Sequence, residues 1–217
     1  MKILHVIANP KATENSVSKQ LAQAFFMRLI QALPDAEMDQ IDLYNEPPPY
    51  LSKDAFRRFW QPVFEPGYQP TGEEVEASAY AEAKSKQLAE QDVVVLTAPL
   101  WNGGLPAILK AWIDQAMMPG ILFHIEGEKM IPLHKIRRVV LLVSSGARLT
   151  ENDPHDGLTP TVRGAFAFAG VRNISVAWAD GQDPVAYSDF EERRGFAIEA
   201  AEDLAEEIAE EFSAATV

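Results

Sequence analysis

The chain has 217 residues, of which 47% are hydrophobic, so it is long and apolar enough to bury a sizeable core. Acidic residues outnumber basic ones by 32 to 19, and the formal net charge of -13 leaves no general basic surface for nucleic acid or an anionic membrane. Cysteine is absent, which excludes disulfides, thiolate metal sites and cysteine nucleophiles and suits a reducing cytoplasm.

In chain order, Ile3 to Ala8 reads as a buried strand that follows Met1 directly, so no signal peptide is expected and the protein is placed in the cytoplasm. The polar loop from Asn9 to Ser18 opens a helix over Ser16 to Leu33, with Leu21, Phe25, Leu29 and Ala32 at helical spacing. A second strand, Met38 to Leu43, leads into Tyr44 to Tyr68, a proline-rich stretch expected to be irregular. It holds seven of the chain's twenty aromatic residues, a density that marks a functional insertion or an interface, set at about residues 44–71. Gly72 to Glu90 predicts one long helix. Asp92 to Ala98 is the third strand, and its Val93 to Val95 run suits a parallel strand covered on both faces. A Gly-rich turn follows, and from Leu105 a helix carries Ile108, Leu109, Trp112, Ile113 and Met117 on one side. Arg138 to Ser145 and Asn173 to Ala179 are the fourth and fifth strands, separated by a short helix, Thr161 to Gly170, that a glycine closes. The last helix, Glu191 to Glu211, sets Ile198, Ala201, Leu204, Ala205 and Ile208 opposite a solvated acidic face. No apolar run reaches the ~18 residues of a membrane span.

Strands and helices that alternate in this way predict an α/β fold: a doubly wound five-stranded parallel sheet of order 2-1-3-4-5 with helices on both faces, in one domain over residues 1–217. Ligands of such sheets bind at the carboxyl ends of the strands where the order reverses, here between the first and third strands. Two loops meet there, Asn9 to Ser18 and Pro99 to Gly104. A helix start offers free backbone N–H groups and the positive end of the dipole, and serine hydroxyls add donors, so a phosphate fits Ser16 and Ser18. A plain N-cap role is the other reading of Ser16. Neither G-x-G-x-x-G nor G-x-x-x-x-G-K-[ST] occurs, and no ligands are grouped at a metal-binding spacing.

Ala98-Pro-Leu-Trp-Asn102, followed by Leu109-Lys-Ala-Trp-Ile-Asp114, resembles the central motif of the FMN-dependent NADH azoreductases and NAD(P)H quinone reductases, which are flavodoxin-like. Ser16-Val-Ser18 is similar to that family's flavin-phosphate loop, Val143-Ser-Ser-Gly146 to its loop after the fourth strand, and Asp153 to Pro160 to the segment before its next helix. The resemblance runs from residue 1 to about residue 180. It implies a homodimer that binds FMN and passes two electrons from NADH or NADPH to a quinone or azo compound by a ping-pong cycle. It further implies FMN contacts at Asn9, Ser16, Val17, Ser18, Pro99, Leu100, Trp101, Asn102, Gly103, Ser144, Ser145, Gly146 and Ala147. Phe56, Phe59, Trp60, Phe64 and Phe123 are expected to form a wall over the flavin and a dimer contact. His155, and to a lesser degree His124, are candidate proton donors facing the site, whereas His5 reads as structural and His134 as a surface residue. Pro10 stands where that family usually has a hydroxyl residue and Ala147 where it often has glycine. An FMN-binding electron carrier is the alternative reading. A phosphoacceptor signalling domain is disfavoured, because the first loop offers only Glu14 as an acid.

Overall fold

The computed structural model describes residues 1–149 and 153–214. Five strands, β1 (Lys2–Ile7), β2 (Glu37–Asp42), β3 (Val93–Pro99), β6 (Arg138–Ser144) and β7 (Ile174–Ala179), form a parallel sheet of order β2-β1-β3-β6-β7. The order written 2-1-3-4-5 is corrected in this numbering, because two short strands intervene in the chain. These are β4 (Phe123–Glu126) and β5 (Lys129–Pro132), a separate antiparallel hairpin turning on Gly127 at φ 62. Strands of four residues carry too few positions for a period to show, which is why no strand is expected from the sequence between Phe123 and Pro132.

All seven residues of β3 and all seven of β6 are buried, as the β-branched runs require. On one face, α1 (Val17–Ala32) and α7 (Phe190–Ala214) bring Leu21, Phe25, Leu29, Ala201, Ala205 and Ile208 against Val93, Val95, Val140 and Leu142. On the other, α4 (Ala79–Ala89), α5 (Ala107–Ala116) and α6 (Thr159–Phe168) bring Leu88, Leu109, Trp112, Val162 and Phe166 against Val94, Leu96, Leu141 and Val143. The acidic side of α7 is partly paired: Glu206 meets Arg28 of α1, Glu207 meets Arg138 and Glu211 meets Arg137. Strand β2 is an edge of the sheet, and Glu37, Met38, Asp39 and Gln40 are exposed on it.

The insertion is more regular than expected. A helix, α2 (Lys53–Phe64), forms within it because the Ser52 hydroxyl accepts from the Ala55 N–H as an N-cap and because Ala55 and Phe59, four residues apart, share one buried face. Pro62 is tolerated in the last turn. The next helix, α3 (Gly72–Ala77), opens with a capping box in which Thr71 and Glu74 satisfy each other's backbone N–H. Glu74 is buried, and hydrogen bonds from Arg57 (2.8 Å) and Tyr68 (2.7 Å) hold its carboxyl below the usual carboxylate range. The helix expected over Gly72 to Glu90 is two helices, broken at Ser78, whose hydroxyl donates back to the Val75 carbonyl. Helix α6 starts two residues before the expected Thr161, because the Asp156 carboxylate accepts from the Leu158 and Thr159 N–H groups. It ends at Phe168, two residues before the expected Gly170, which closes it from outside: φ 99 there permits the Gly170-to-Ala167 and Val171-to-Phe166 bonds of a Schellman motif.

Candidate active site

The carboxyl ends of β1, β3 and β6 open into a cleft of about 370 Å³ that Asn9, Ser16, Val17, Leu100, Trp101 and Ser144 help to line. A larger depression, about 760 Å³ between α1 and α7, lies away from the strand ends and is walled by the outer faces of two helices. The smaller cleft is the candidate site, since loops from several strands and a helix N-terminus converge on it.

Its first wall is organised by Asn9. This buried amide donates to the Ser16 hydroxyl (2.8 Å) and to the Ser18 hydroxyl (3.1 Å), while its carbonyl accepts from the Lys11 N–H (3.1 Å). Ser16 is the N-cap of α1 and also accepts from the Lys19 N–H at 3.3 Å, so both readings of Ser16 converge on one residue. Its oxygen also lies 3.4 Å from the Ser18 hydroxyl, to which its own proton can be given. The first-turn amides of Val17 and Ser18 have no acceptor within the helix. An anion in the cleft would satisfy these donors. Ser18 itself is fully buried against Asn9 and reaches the cleft only through that network. Pro10 is exposed and leaves the Asn9 contacts intact. Replacing Ser16 by alanine is expected to cost about 1 kcal/mol of stability, read by urea denaturation, and to weaken binding of an anion in the cleft in the same sample.

The second wall is a two-residue turn. Trp101 and Gly104 exchange both backbone hydrogen bonds at 2.9 Å, with Asn102 at φ 51 and Gly103 at φ 74. Positive φ at both central positions is the type I′ pattern, and Asn-Gly is the sequence that adopts it at least cost. The turn is tied down by the Gly157 N–H, which donates to the Gly103 carbonyl at 2.8 Å, and by the Leu100 N–H, which donates to Ser144 at 2.8 Å. Trp101 divides the cleft from a second cavity of about 730 Å³, bordered by Tyr44, Tyr50, Asn102, Pro106 and Ala111.

At the third wall Ser144 is a largely buried residue that lines the cleft, and its hydroxyl has no hydrogen-bond partner among the described residues. The Ser145 hydroxyl is already engaged, donating to the Ala147 carbonyl (2.8 Å) and accepting from the Trp178 indole (2.9 Å). Gly146 lines the cleft and Ala147 does not. Ala147 keeps a negative φ, so its methyl group brings no backbone strain.

Several expected residues lie elsewhere. Phe123 is fully buried against Phe168, with ring centres 5.0 Å apart, and Phe59 sits in a small cluster with Ala55, Ala81 and Met118. Trp60 stacks on Phe64, and Phe56 and Phe64 are exposed on α2; none of the five lines either cavity. The aromatic residues that the insertion does bring to Trp101 are Tyr44 and Tyr50. His124 is exposed on β4, outside both cavities. His155 is exposed beside the turn; its ring and its backbone N–H both bond Asp153, at 3.0 and 2.8 Å, and hold that carboxyl below its usual range. His134 is a half-buried link rather than a surface residue, accepting from the Ile136 N–H and reaching the Ala169 carbonyl at 2.9 Å. His5 is structural, as expected, with Nε2 2.8 Å from the Thr97 hydroxyl.

A fourth wall was missed. Gln182, Pro184, Phe190 and Arg194, from the loop after β7 and the first turn of α7, close the cleft opposite Ser16. The signal was available, since this loop also leaves the carboxyl end of a strand.

The donor set fits a phosphorylated planar ligand: amides at a helix start, the Ser144 hydroxyl, and a turn that brings backbone and one indole to the opening. A family model described as flavodoxin-like fold matches residues 1–213. An FMN-dependent NADH:quinone oxidoreductase of Azotobacter vinelandii is 32% identical over 176 residues, covering 81% of this chain and 86% of the relative. One from Coprothermobacter proteolyticus is 30% identical over 217 residues, covering 95% and 98%. Among solved structures, an azoreductase from Bacillus anthracis superposes with a TM-score of 0.83 at 28% identity, covering 94% of this chain and 98% of the other. The chain belongs to the flavodoxin-like family, among the FMN-dependent NADH:quinone oxidoreductases and azoreductases.

Proposed function

We propose that this protein is an FMN-dependent oxidoreductase that takes electrons from NADH or NADPH and reduces quinones or azo compounds. The observation that carries the reading is the cleft at the ends of β1, β3 and β6, in which the start of α1 faces the Trp101 turn. In this reading Ser16 and the first-turn amides of Val17 and Ser18 hold the phosphate, with Asn9 fixing the serine hydroxyls, while Pro99 to Gly103 support the ring and Ser144 to Gly146 border it. Bound FMN supplies a ring that accepts a hydride from the nicotinamide and gives it up to the acceptor.

The chain's own part is positioning and electrostatics. Trp101 and the type I′ turn fix a flat surface at the boundary between the two cavities, and the Tyr44 and Tyr50 cavity offers a planar acceptor a place to stack. Backbone N–H groups of the turn and of the Gly146 loop stabilise negative charge that builds on the ring. His155, held by Asp153, delivers a proton to an acceptor only through water, because its ring lines neither cavity. The second cavity favours an enzyme over an electron carrier, which needs no substrate pocket. We extend the proposal to a homodimer, supported by exposed Phe56 and Phe64 on α2, and to a cytoplasmic location, which the cysteine-free composition suits.

The test is a visible spectrum of purified protein after FMN is added and the excess removed, followed by anaerobic NADH and NADPH. Retained yellow colour that bleaches on adding a nicotinamide, and returns with quinone or azo dye, is expected. Colourless protein would refute the proposal.

A further inference from the structure

Three arginines gather around the loop between β7 and α7, and they differ in how their charge is met. Arg148 pairs with Asp189 and lies over the Tyr187 ring at 4.6 Å. Arg193 pairs with Asp180 (2.6 Å) and Asp189 (3.1 Å). Arg194, which lines the cleft, has no carboxylate partner among the described residues. Its Nε donates to the Gln182 side-chain carbonyl at 3.2 Å, and its guanidinium lies 5.5 Å from the centre of the Phe190 ring. Gln182 is itself fixed, because its amide donates to the backbone carbonyls of Asp180 (3.0 Å) and Phe190 (2.9 Å) and so presents its oxygen to Arg194. The fold therefore orients a half-buried cation with neutral groups only, and both Nη nitrogens remain without an acceptor among the described residues.

From this arrangement we infer that Arg194 is the cation that binds the flavin phosphate, and that it makes the protein select the phosphorylated flavin over riboflavin. The inference rests on the flavin reading above. A phosphate dianion in this cleft meets a chain of formal net charge -13 and a nearby Glu14, so hydroxyls and amides alone leave its charge uncompensated. A planar guanidinium with two free nitrogens matches two phosphate oxygens. The Ser144 hydroxyl, which lines the same cleft and has no partner among the described residues, is a further donor open to a ligand there. Lys11 also lines the cleft but is exposed on a flexible stem, so it contributes less.

The experiment is a fluorescence titration of FMN and of riboflavin against wild type, Arg194→Ala, Arg194→Lys and Lys11→Ala, at low and high salt. Arg194→Ala is expected to weaken FMN roughly 10- to 100-fold, the scale of a lost charge-assisted pair, with riboflavin changed less than about twofold on the same grounds. Arg194→Lys recovers part of the preference, and Lys11→Ala loses little of it. Unchanged riboflavin binding also shows that the variant is folded. Equal losses for both flavins would mark a structural role and overturn the inference. An unchanged FMN preference with a raised KM for NADH would overturn it too, and would assign the arginine to the nicotinamide's diphosphate. If wild type binds neither flavin, the proposed function falls as well.

Discussion

Between pH 7 and pH 4, replacing His5 by glutamine is expected to remove about 3 kcal/mol of acid-induced destabilisation. His5 lies in β1, between Gln40 of β2 and Val95 of β3, and it is buried. Burial pushes its pKa down from 6.5 to about 3; a hydrogen bond donated to the Gln40 side chain opposes this and the Lys19 charge adds to it. The unfolded chain therefore takes up a proton near pH 6.5 that the folded chain refuses until about pH 3. The neutral imidazole costs the fold nothing above pH 6.5, and stability is lost progressively as pH falls towards 3. Glutamine keeps a hydrogen-bonding group opposite the Thr97 hydroxyl but cannot titrate. Urea denaturation of both proteins at the two pH values checks this. Wild type loses more on acidification than the variant, and equal losses would show that His5 is protonated in the folded state at pH 4.

The second large effect is at Gly157. A Cβ there would lie 2.4 Å from the Gly103 carbonyl oxygen, so Gly157→Val forces apart two backbones that a hydrogen bond now joins. Overpacking of this kind costs about 1–3 kcal/mol, and here the strain falls on the turn that carries Trp101. Flavin retention is expected to fall by about an order of magnitude or more, as when a positioning contact of 1–3 kcal/mol is lost. Gly195→Ala in α7 is the control, since a Cβ there meets nothing within 4 Å. Gel filtration with added FMN separates the outcomes: a Gly157→Val protein that keeps its cofactor as well as the control would show that the turn does not support the ring.

What could be read in advance tracks how local its cause is. Strands β3 and β6 announced themselves because burial on both faces selects uninterrupted apolar runs, and Gly170 announced the end of α6 because only glycine adopts φ 99 cheaply. The Asn9 to Ser18 loop and the Trp101 turn were legible by position, as the strand ends of a reversing sheet. The aromatic residues were not. Phe59 and Phe123 are in the interior while Tyr44 and Tyr50 border Trp101, and nothing in a composition separates a ring that fills a core from one that lines a cavity. Gln182 and Arg194 escaped for a different reason. Their relation to Ser16 exists only once β7 and α7 have been added beside the sheet, more than 160 residues later in the chain.

Strand β2 leaves one side of the sheet with backbone donors and acceptors that no neighbouring strand among the described residues takes up, and this is the kind of border on which another chain can add itself. Glu37 and Asp39 guard it by charge. That protection is conditional: acid brings the chain towards the isoelectric point near 4.7 that its composition sets, where net repulsion between copies vanishes. The same drop in pH that strains His5 inside the sheet thus weakens the repulsion that keeps other copies from its border, coupling loss of stability to self-association.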